Sequence, residues 1–213
     1  MSGQTRGIYR VIEGPDGAGK STQCNMLVDR LIAEGRQAIS VHEPGETPIG
    51  REIEKIIKNR DLGRTALSNL LFFTINRLEL WKQKLEQALD SGTDVVSERN
   101  WLSSLVYQGH AEKMGFDFVT KFTANFLPER YMTPDLTIIL ATSGMVRQQR
   151  MLGRGGSEND AFESRGSDFQ AKLTEGYDII ASSEIVKNLV VISVEGTSNE
   201  VHEAVWKEVK RTI

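Results

Sequence analysis

The sequence has 213 residues, of which 39% are hydrophobic, and this length and composition predict one α/β domain over residues 1–213. The formal net charge of −3 argues against a broad surface for nucleic acid or for an anionic membrane, so we expect neither as a partner. The single cysteine, Cys24, excludes an internal disulfide and a multi-cysteine metal site, and we therefore expect a cytoplasmic protein.

Short apolar runs alternate with helical patterns along the whole chain. The runs are continuous rather than alternating, which is typical of central parallel strands. The five predicted strands are Ile8–Glu13, Gln37–His42, Asp94–Ser97, Asp135–Ala141 and Leu189–Val194. The predicted helices are Gly19–Glu34, Thr65–Leu89, Leu102–Glu112, Phe116–Phe126, Met145–Leu152, Ala161–Ser183 and one from Ser198 onward. This order predicts a doubly wound, open α/β sheet of five parallel strands with helices on both faces.

The most specific motif follows the first strand directly. Residues 14–22 match the G-x-x-x-x-G-K-[ST] phosphate loop at every fixed position. Its glycines let backbone N–H groups surround phosphate oxygens, Lys20 brings a positive charge to them, and the Ser21 hydroxyl can bind Mg²⁺. The alternative is a glycine-rich turn that happens to contain a lysine. We expect a P-loop NTPase-like fold that binds ATP through Gly14, Pro15, Asp16, Gly17, Ala18, Gly19, Lys20, Ser21 and Thr22.

The long middle helix is predicted to be apolar on two sides. Several leucines and one isoleucine fall within a narrow arc at about 100° per residue, and we expect this stripe to face the core. Phe73 and Arg77 are four residues apart on the opposite side, which we expect a ligand pocket and a second subunit to share. The stripe consists of Leu67, Leu71, Ile75, Leu78, Leu85 and Leu89.

Two segments at strand ends are predicted to border one ligand crevice with the phosphate loop. Glu43-Pro44-Gly45 follows the second strand and Ser97-Glu98-Arg99 ends the third, and the carboxyl ends of parallel strands line such crevices. Arg99 can bind a monophosphate bidentately, and Glu98 can hold Mg²⁺ directly or through water. The hydroxyls that could reach the same ligand belong to Ser103, Ser104 and Tyr107.

Two residues of the long helix complete this predicted acceptor site. Phe73 offers a flat face for a nucleobase, and Arg77 offers a fork of donors for the base edge. Taken alone, Phe73 could be a core residue, Arg77 a solvated residue, Tyr107 a cap of the core and Glu98-Arg99 a surface ion pair. Their joint placement around one crevice favours the functional interpretation.

An irregular polar stretch, residues 153–160, separates two predicted helices. Its glycines and charges are typical of a mobile flap, and we expect an arginine-bearing lid over about residues 147–163.

These motifs resemble the thymidylate kinases of the nucleoside monophosphate kinase group over nearly the whole chain. The resemblance implies that Asp16 contacts the sugar 3′-hydroxyl and helps to organise Mg²⁺, that Phe73 stacks on thymine and that Arg77 holds the base edge. It also implies that Arg99 binds the acceptor phosphate and that Tyr107 lies beneath the sugar. The segments that carry it are Glu13–Thr22, Glu43–Thr47, Leu71–Arg77, Ser97–Arg99, Tyr107–Gly109, Pro134–Leu136, Arg154–Gly156 and Phe162-Glu163.

The same resemblance assigns residues around ATP and the lid. Arg154 looks like the residue that lies over adenine, and Arg150 or Arg154 would reach the transferring phosphoryl group. The loop around Gly196-Thr197 would line the adenine pocket, and Glu163 would belong to the acceptor site. Family members dimerise through the long helix, so we expect a homodimer.

Four positions depart from the family's pattern. Glu98 replaces the usual Asp, while His42 and Glu46 replace an arginine and a glycine that usually flank Glu-Pro-Gly. The loss of a cation and the gain of a carboxylate should weaken binding of the acceptor phosphate unless another group compensates. Gly17 stands where some members place an arginine, which suggests that the lid's arginines supply the cation for the transition state.

The sequence therefore predicts transfer of the γ-phosphoryl group of ATP to dTMP, giving dTDP and ADP. One alternative is a kinase for another pyrimidine deoxynucleoside monophosphate, such as dUMP or a modified base, because His42 and Glu46 leave the substrate open. The other is a P-loop switch protein that binds GTP. We find no Asn-Lys-x-Asp guanine-reading segment to support it.

Overall fold

The computed structural model describes residues 6–142, 162 and 165–213. One five-stranded sheet runs through this part of the chain, and every adjacent pair of its strands is parallel. The strands are β1 (Tyr9–Glu13), β2 (Ala38–His42), β3 (Asp94–Glu98), β4 (Leu136–Ala141) and β5 (Leu189–Ser193). The predicted strands are confirmed to within one residue at their ends.

The strand order is β2-β3-β1-β4-β5, so β1 is the central strand. The chain forms β2 and β3 on one side of β1 and then β4 and β5 on the other side. In the register, Ile12 pairs with Glu98 of β3 on one side and with Ile138 of β4 on the other. The residues that follow β1 and β3 therefore emerge side by side. The predicted doubly wound α/β fold is confirmed.

Helices connect the strands and cover both faces of the sheet. The α-helices are α1 (Lys20–Ala33), α2 (Pro48–Lys58), α3 (Ala66–Leu80), α4 (Glu86–Asp90), α5 (Trp101–Ser104), α6 (Phe116–Ala124), α7 (Glu129–Met132), α8 (Gly166–Ala181) and α9 (Ser198–Val209). Two π-helical segments, Trp81–Leu85 and Leu105–Ala111, join α3 to α4 and extend α5. The sequence prediction missed α2 and α7. The predicted helix Met145–Leu152 and most of the predicted lid lie outside the described residues.

The two faces of the sheet carry separate apolar clusters. On one face α1 and α9 pack against the sheet through residues such as Leu27, Leu31 and Trp206, all nearly fully buried. On the other, larger face lie the long helix, the helix that begins at Trp101 and α8. Burial of this apolar surface on both sides is the main term that stabilises the fold. None of the helices in the described residues has the length and apolar character needed to cross a membrane.

The long helix buries a different side from the predicted one. Leu67, Leu71 and Ile75 are 44%, 42% and 40% exposed, so the prediction that their stripe faces the core is wrong. Leu85 and Leu89 are fully buried. The cause is the π-helical segment Trp81–Leu85, whose wider turn rotates all later residues by about 100° relative to an uninterrupted α-helix.

The buried side of the helix is the one that carries Arg77. Leu70, Leu80 and Arg77 are at most 1% exposed, and the rotation brings Leu85 and Leu89 onto the same side. An uninterrupted period of 3.6 residues would instead align the last two leucines with Leu67 and Leu71. The structure thus leaves an apolar stripe on the outside of the molecule.

Candidate active site

The phosphate loop connects the central strand to α1. Gly14 has a φ of 139°, and a Cβ atom there would lie 2.6 Å from the Leu140 carbonyl oxygen, so the loop can approach β4 only with glycine at this position. Helix α1 begins at Lys20, and no side chain accepts a hydrogen bond at its N-cap, Gly19. Its first N–H groups and the positive end of its dipole are therefore available to phosphate oxygens.

Lys20 is held over this loop. Its side chain is 5% exposed, and its Nζ donates to the Pro15 carbonyl oxygen at 3.1 Å and lies 3.6 Å from Asp16 Oδ1. Burial, followed by the charge of Arg99, lowers the pKa of Lys20. A bound triphosphate would bring further negative charge next to the Lys20 ammonium group, beside that of Asp16. Ser21 and Thr22 are exposed in the first turn of the same helix.

A buried carboxylate holds the segment after β3 against the phosphate loop. Glu13, the last residue of β1, is fully buried, and its Oε1 accepts hydrogen bonds from the backbone N–H groups of Asn100 at 2.9 Å and Ser103 at 3.1 Å. The Ser103 hydroxyl and the Tyr177 hydroxyl each lie 2.9 Å from this carboxylate. So many donors make the burial of a charge tolerable.

Arg99 projects from this segment toward the loop. Its φ of 72° is rare outside glycine, and it is maintained by the surrounding contacts. Arg99 Nη2 donates to Asp16 Oδ1 at 2.5 Å, and Nη1 donates to Ser103 Oγ at 2.9 Å and to Tyr177 OH at 3.1 Å. Asp16 thus lies between two cations, Arg99 and Lys20, at the junction of the two predicted ligand sites.

An open cavity begins at this junction and extends toward α2 and α3. All of the predicted acceptor-binding residues that lie in the described part of the chain line it, except Glu43. The lining residues are Asp16, Pro44, Ile57, Lys58, Phe73, Arg77, Arg99, Ser103, Ser104, Tyr107, Gln108 and Phe162.

Aromatic rings form the wall of the cavity away from Arg99. Phe73 is half-buried, and its ring centroid lies 6.2 Å from that of Phe162. Phe162 in turn makes an edge contact with Tyr107 at 5.5 Å. A planar base can stack on Phe73 here, because the ring both packs on the core and faces open space.

Arg77 belongs to a buried network and is not the solvated helix residue of the plainer interpretation. It is 1% exposed and donates to Glu43 Oε2 at 2.9 Å, to Ser104 Oγ at 2.8 Å and to the Asn100 carbonyl oxygen at 3.0 Å. Tyr131 donates a hydrogen bond to the other oxygen of Glu43. Glu43 therefore contacts Arg77 rather than the cavity, and burial raises its pKa while Arg77 opposes that rise.

The three contacts of Arg77 use three of the five N–H donors of a guanidinium group. The other two N–H groups make no hydrogen bond among the described residues, and Arg77 lines the cavity. Gln108 adds an acceptor: its Oε1 is buried and has no hydrogen-bond partner among the described residues, while its Nε2 donates to Glu112. The cavity thus offers donors and an acceptor beside a stacking surface, which are the groups that read a base edge.

The oxygen donors near the phosphate loop fit Mg²⁺. Ser21, Glu98 and Asp16 supply a hydroxyl and carboxylates, which are the hard ligands that this ion prefers. Both Asp16 oxygens already engage side chains, Oδ1 with Arg99 and Oδ2 with Tyr107, whereas the described residues give the Glu98 side chain no hydrogen bond or ion pair. Ser21 and Glu98 are therefore the better candidates. No cluster of acidic, His and Cys residues in the described ranges could hold a metal alone.

The two unusual residues around Glu43-Pro44-Gly45 compensate each other. Glu46 Oε2 lies 2.7 Å from His42 Nδ1, and Glu46 Oε1 accepts a hydrogen bond from Lys84 of the first π-helical segment. The extra carboxylate thus points at two basic side chains and not into the cavity, whose lining does not include it. The negative charge of Glu46, which was expected to weaken binding of the acceptor phosphate, is therefore offset by Lys84.

The remaining predicted residues lie apart from the cavity or outside the described chain. Thr197 caps α9, with its hydroxyl accepting from the Glu200 N–H, and Gln23 of α1 donates to the neighbouring Ser198 carbonyl oxygen at 2.9 Å. The Gly196-Thr197 loop therefore lies beside the first turns of α1. Arg150, Arg154 and Glu163 lie outside the described residues, and their roles stay predictions.

Several residues of the site were not predicted as site residues. Glu13, Tyr177, Tyr131, Asn100 and Gln108 all contact predicted site residues or line the cavity. Glu13 and Gln108 lie within segments that carry the family resemblance, so the motifs themselves were the available signal. Tyr177 and Tyr131 come from distant helices and offer no local signal.

A phosphate loop on the central strand, next to a cavity lined by two arginines and an aromatic wall, defines a P-loop kinase of small phosphorylated substrates. The model of the family described as thymidylate kinase matches residues 12–205. The chain is 35% identical over 202 residues to the thymidylate kinase of Caldicellulosiruptor saccharolyticus, covering 95% of each chain. It is 32% identical to that of Chlamydia felis, over 86% of this chain and 88% of the relative.

A third relative, the thymidylate kinase of Chlorobaculum tepidum, is 30% identical over 91% of this chain and 92% of its own length. The chain belongs to the thymidylate kinase family. It is accordingly a nucleoside monophosphate kinase, an enzyme that phosphorylates dTMP.

Proposed function

We propose that the γ-phosphoryl group of ATP, bound on the phosphate loop, passes to the 5′-phosphate of dTMP held in the cavity beside it. The observation that supports this most is the position of Arg99. It lies between the phosphate loop and the cavity, linked to Asp16 at 2.5 Å, while Phe73 and Arg77 line the other part of the same cavity. A nucleotide with its phosphate at Arg99 would have its base at Phe73.

The chemistry needs alignment and positive charge more than it needs a base. A phosphate oxygen of dTMP attacks the γ phosphorus, the bond from that phosphorus to the bridging oxygen breaks, and ADP leaves with the electron pair. The acceptor phosphate is already ionised, so no residue has to remove a proton. Lys20 would stabilise the charge on the γ-phosphate oxygens, and Arg99 would orient the acceptor phosphate.

Mg²⁺ held by Ser21 and Glu98 would neutralise charge on the β and γ phosphates. Asp16 would act on the acceptor side, where its carboxylate positions Arg99 and can accept a hydrogen bond from the sugar. Arg150 and Arg154 would add positive charge from the lid, and Gly196-Thr197 would border adenine, as the sequence predicts. All of these residues would belong to a single catalytic domain, residues 1–213.

Base selection would follow from Arg77 and Gln108. A thymine edge presents acceptor oxygens and one N–H donor, which match the two unused donors of Arg77 and the buried Gln108 Oε1. Cytosine presents an amino group where thymine has an oxygen, so this amino group would face the N–H donors of Arg77 and find no acceptor there. This pattern favours dTMP and dUMP over dCMP.

A substrate panel tests the proposal directly. Purified protein with ATP and Mg²⁺ should phosphorylate dTMP fastest, dUMP more slowly, and dCMP and dGMP least. Replacing ATP with GTP should lower the rate. A preference for dUMP or for a 5-modified pyrimidine would change the assigned substrate, and no turnover of any monophosphate would contradict the function altogether.

The proposal includes a homodimer in a cytoplasmic setting. Leu67, Leu71 and Ile75 form an apolar stripe on the outside of α3, and apolar side chains so aligned favour burial against a second copy. Cys24, the single cysteine, is free and buried on α1, as suits a reducing compartment.

A further inference from the structure

Two hydroxyl groups lie between Arg99 and Glu13. Arg99 Nη1 is 3.7 Å from Glu13 Oε2, which is too long for a direct hydrogen bond. Instead Nη1 donates to Ser103 Oγ at 2.9 Å and to Tyr177 OH at 3.1 Å. Both hydroxyls contact the Glu13 carboxylate at 2.9 Å.

The direction of these hydrogen bonds is fixed by the chemistry at each end. A guanidinium group can only donate, and an ionised carboxylate can only accept. Each hydroxyl must therefore accept from Arg99 and donate its single proton to Glu13. Both hydrogens of Arg99 Nη1 are used in this way, so the group cannot rotate without losing two bonds.

Tyr177 is the member of this bridge that comes from a distant part of the chain. It lies on α8, is 3% exposed, and contacts a carboxylate 164 positions earlier. Ser103, by contrast, follows Arg99 by four residues in the same segment. Through one hydroxyl, α8 thus holds both the end of the central strand and the cation at the acceptor site.

We propose that Tyr177 is a positioning residue for the acceptor phosphate. Its hydroxyl fixes Arg99 Nη1 against Glu13, while Asp16 accepts one hydrogen of Nη2, so that Nε and the second hydrogen of Nη2 are held in one orientation for the incoming phosphate. The inference rests on the proposed function, because it takes Arg99 as the ligand of that phosphate. It predicts an effect on phosphate binding and none on base binding.

The test compares two ligands that differ only in the phosphate. Tyr177→Phe keeps the buried ring and removes the hydroxyl, and we expect the KM and the Kd for dTMP to rise about tenfold, since a bond to a charged group is lost. The Kd for thymidine, which has no phosphate, and the KM for ATP should change by less than about twofold. A merely structural role would shift thymidine and dTMP binding together.

Tyr9→Phe is the matched control. Tyr9 is also fully buried, and its hydroxyl takes no part in the bridge between Arg99 and Glu13, so this change should leave dTMP binding unaltered. Melting temperatures and circular dichroism would establish that both variants fold. Combining Tyr177→Phe with Arg99→Ala should weaken dTMP binding no further than Arg99→Ala alone.

The inference is overturned if Tyr177→Phe leaves dTMP binding unchanged, if it weakens thymidine binding equally, or if its effect persists in the Arg99→Ala background. Failure of the proposed function has a different signature, because the unmodified enzyme would then not phosphorylate dTMP at all.

Discussion

The contacts of Lys20 indicate a role in ligand binding rather than in stabilising the fold. Its described partners are one carbonyl oxygen and Asp16, and burial lowers its pKa in the absence of a bound anion. We expect Lys20→Ala to lower kcat about 10²- to 10³-fold, because a charge that stabilises the transition state is lost. Coupled-assay kinetics measure this effect. Unchanged circular dichroism is expected, and a variant with near-normal turnover would remove Lys20 from the mechanism.

Arg77 combines a structural and a recognition role, and a pair of variants separates them. Arg77→Ala leaves Glu43 buried without its counter-charge, so we expect a loss of about 3–5 kcal/mol in the free energy of unfolding. Arg77→Met combined with Glu43→Gln removes both charges and should recover much of that stability. Urea denaturation measures both.

Base discrimination should stay lost in the double variant, because no donor faces the base. The ratio of kcat/KM for dTMP to that for dCMP would then approach one. If the ratio remained at the level of the unmodified enzyme, recognition of the base edge would have to come from Gln108 or another residue.

Sequence reasoning reached the residues of the site that lie at strand ends or at helical spacing. Arg99 follows β3, and Phe73 and Arg77 are one turn apart, so periodicity and topology were sufficient. Tyr177 and Tyr131 could not be predicted, because their partners, Glu13 and Glu43, are far away in the sequence. Such contacts depend on how helices pack, which a single sequence does not specify.

At the scale of elements, α2 illustrates a signal that was present and missed. Thr47 and Pro48 are a preferred N-cap and first residue, and the Thr47 hydroxyl indeed accepts from the Gly50 N–H at 3.0 Å. Interruption of α3 by a π-helical segment, in contrast, has no reliable sequence signature.

Close packing of α2 on α3 gives a prediction at Gly50. A Cβ atom there would lie 2.7 Å from Asn76 Nδ2 and 2.8 Å from Thr47 Oγ1, so Gly50→Ala displaces the Asn76 side chain of α3 and the hydroxyl that caps α2. We expect a loss of about 1–3 kcal/mol in unfolding free energy and a higher KM for dTMP, because α2 follows the Pro44 side of the cavity. Gly63→Ala, where no atom lies within 4 Å, is the control and should be neutral.

The last helix gives a prediction about pH. His202 on α9 is buried, its Nδ1 has no partner among the described residues, and burial followed by Arg30 lowers its pKa. The unfolded chain, with a histidine pKa of about 6.5, therefore binds this proton more readily than the folded one. Stability should be constant above that pH and fall as pH drops below it.

Thermal denaturation between pH 7.5 and pH 5.5 would measure this loss. The variant His202→Asn cannot titrate and should show a smaller decrease over the same range. An equal decrease in both proteins would assign the pH dependence to other groups.

For the whole molecule, the exposed stripe on α3 predicts the oligomeric state. Leu71→Glu places a charge at its centre and should convert a homodimer to monomers, because a buried unpaired carboxylate is costly in an interface. Light scattering coupled to size-exclusion chromatography measures the mass. Ile32→Glu, at an apolar residue that is 53% exposed on α1, should leave the mass unchanged. A monomeric unmodified protein would contradict the assignment of this stripe.

The π-helical segment Trp81–Leu85 accommodates one amino acid more than a plain α-helix would hold between the cavity and β3. An uninterrupted α-helix one residue shorter would present Leu85 and Leu89 on the same side as the present chain does, because the lost residue and the lost wide turn each change the rotation by about 100° in opposite senses. Adding a residue to the chain as it stands would instead turn both leucines away from the core. Relatives that lack the wide turn should therefore carry a one-residue gap on this stretch.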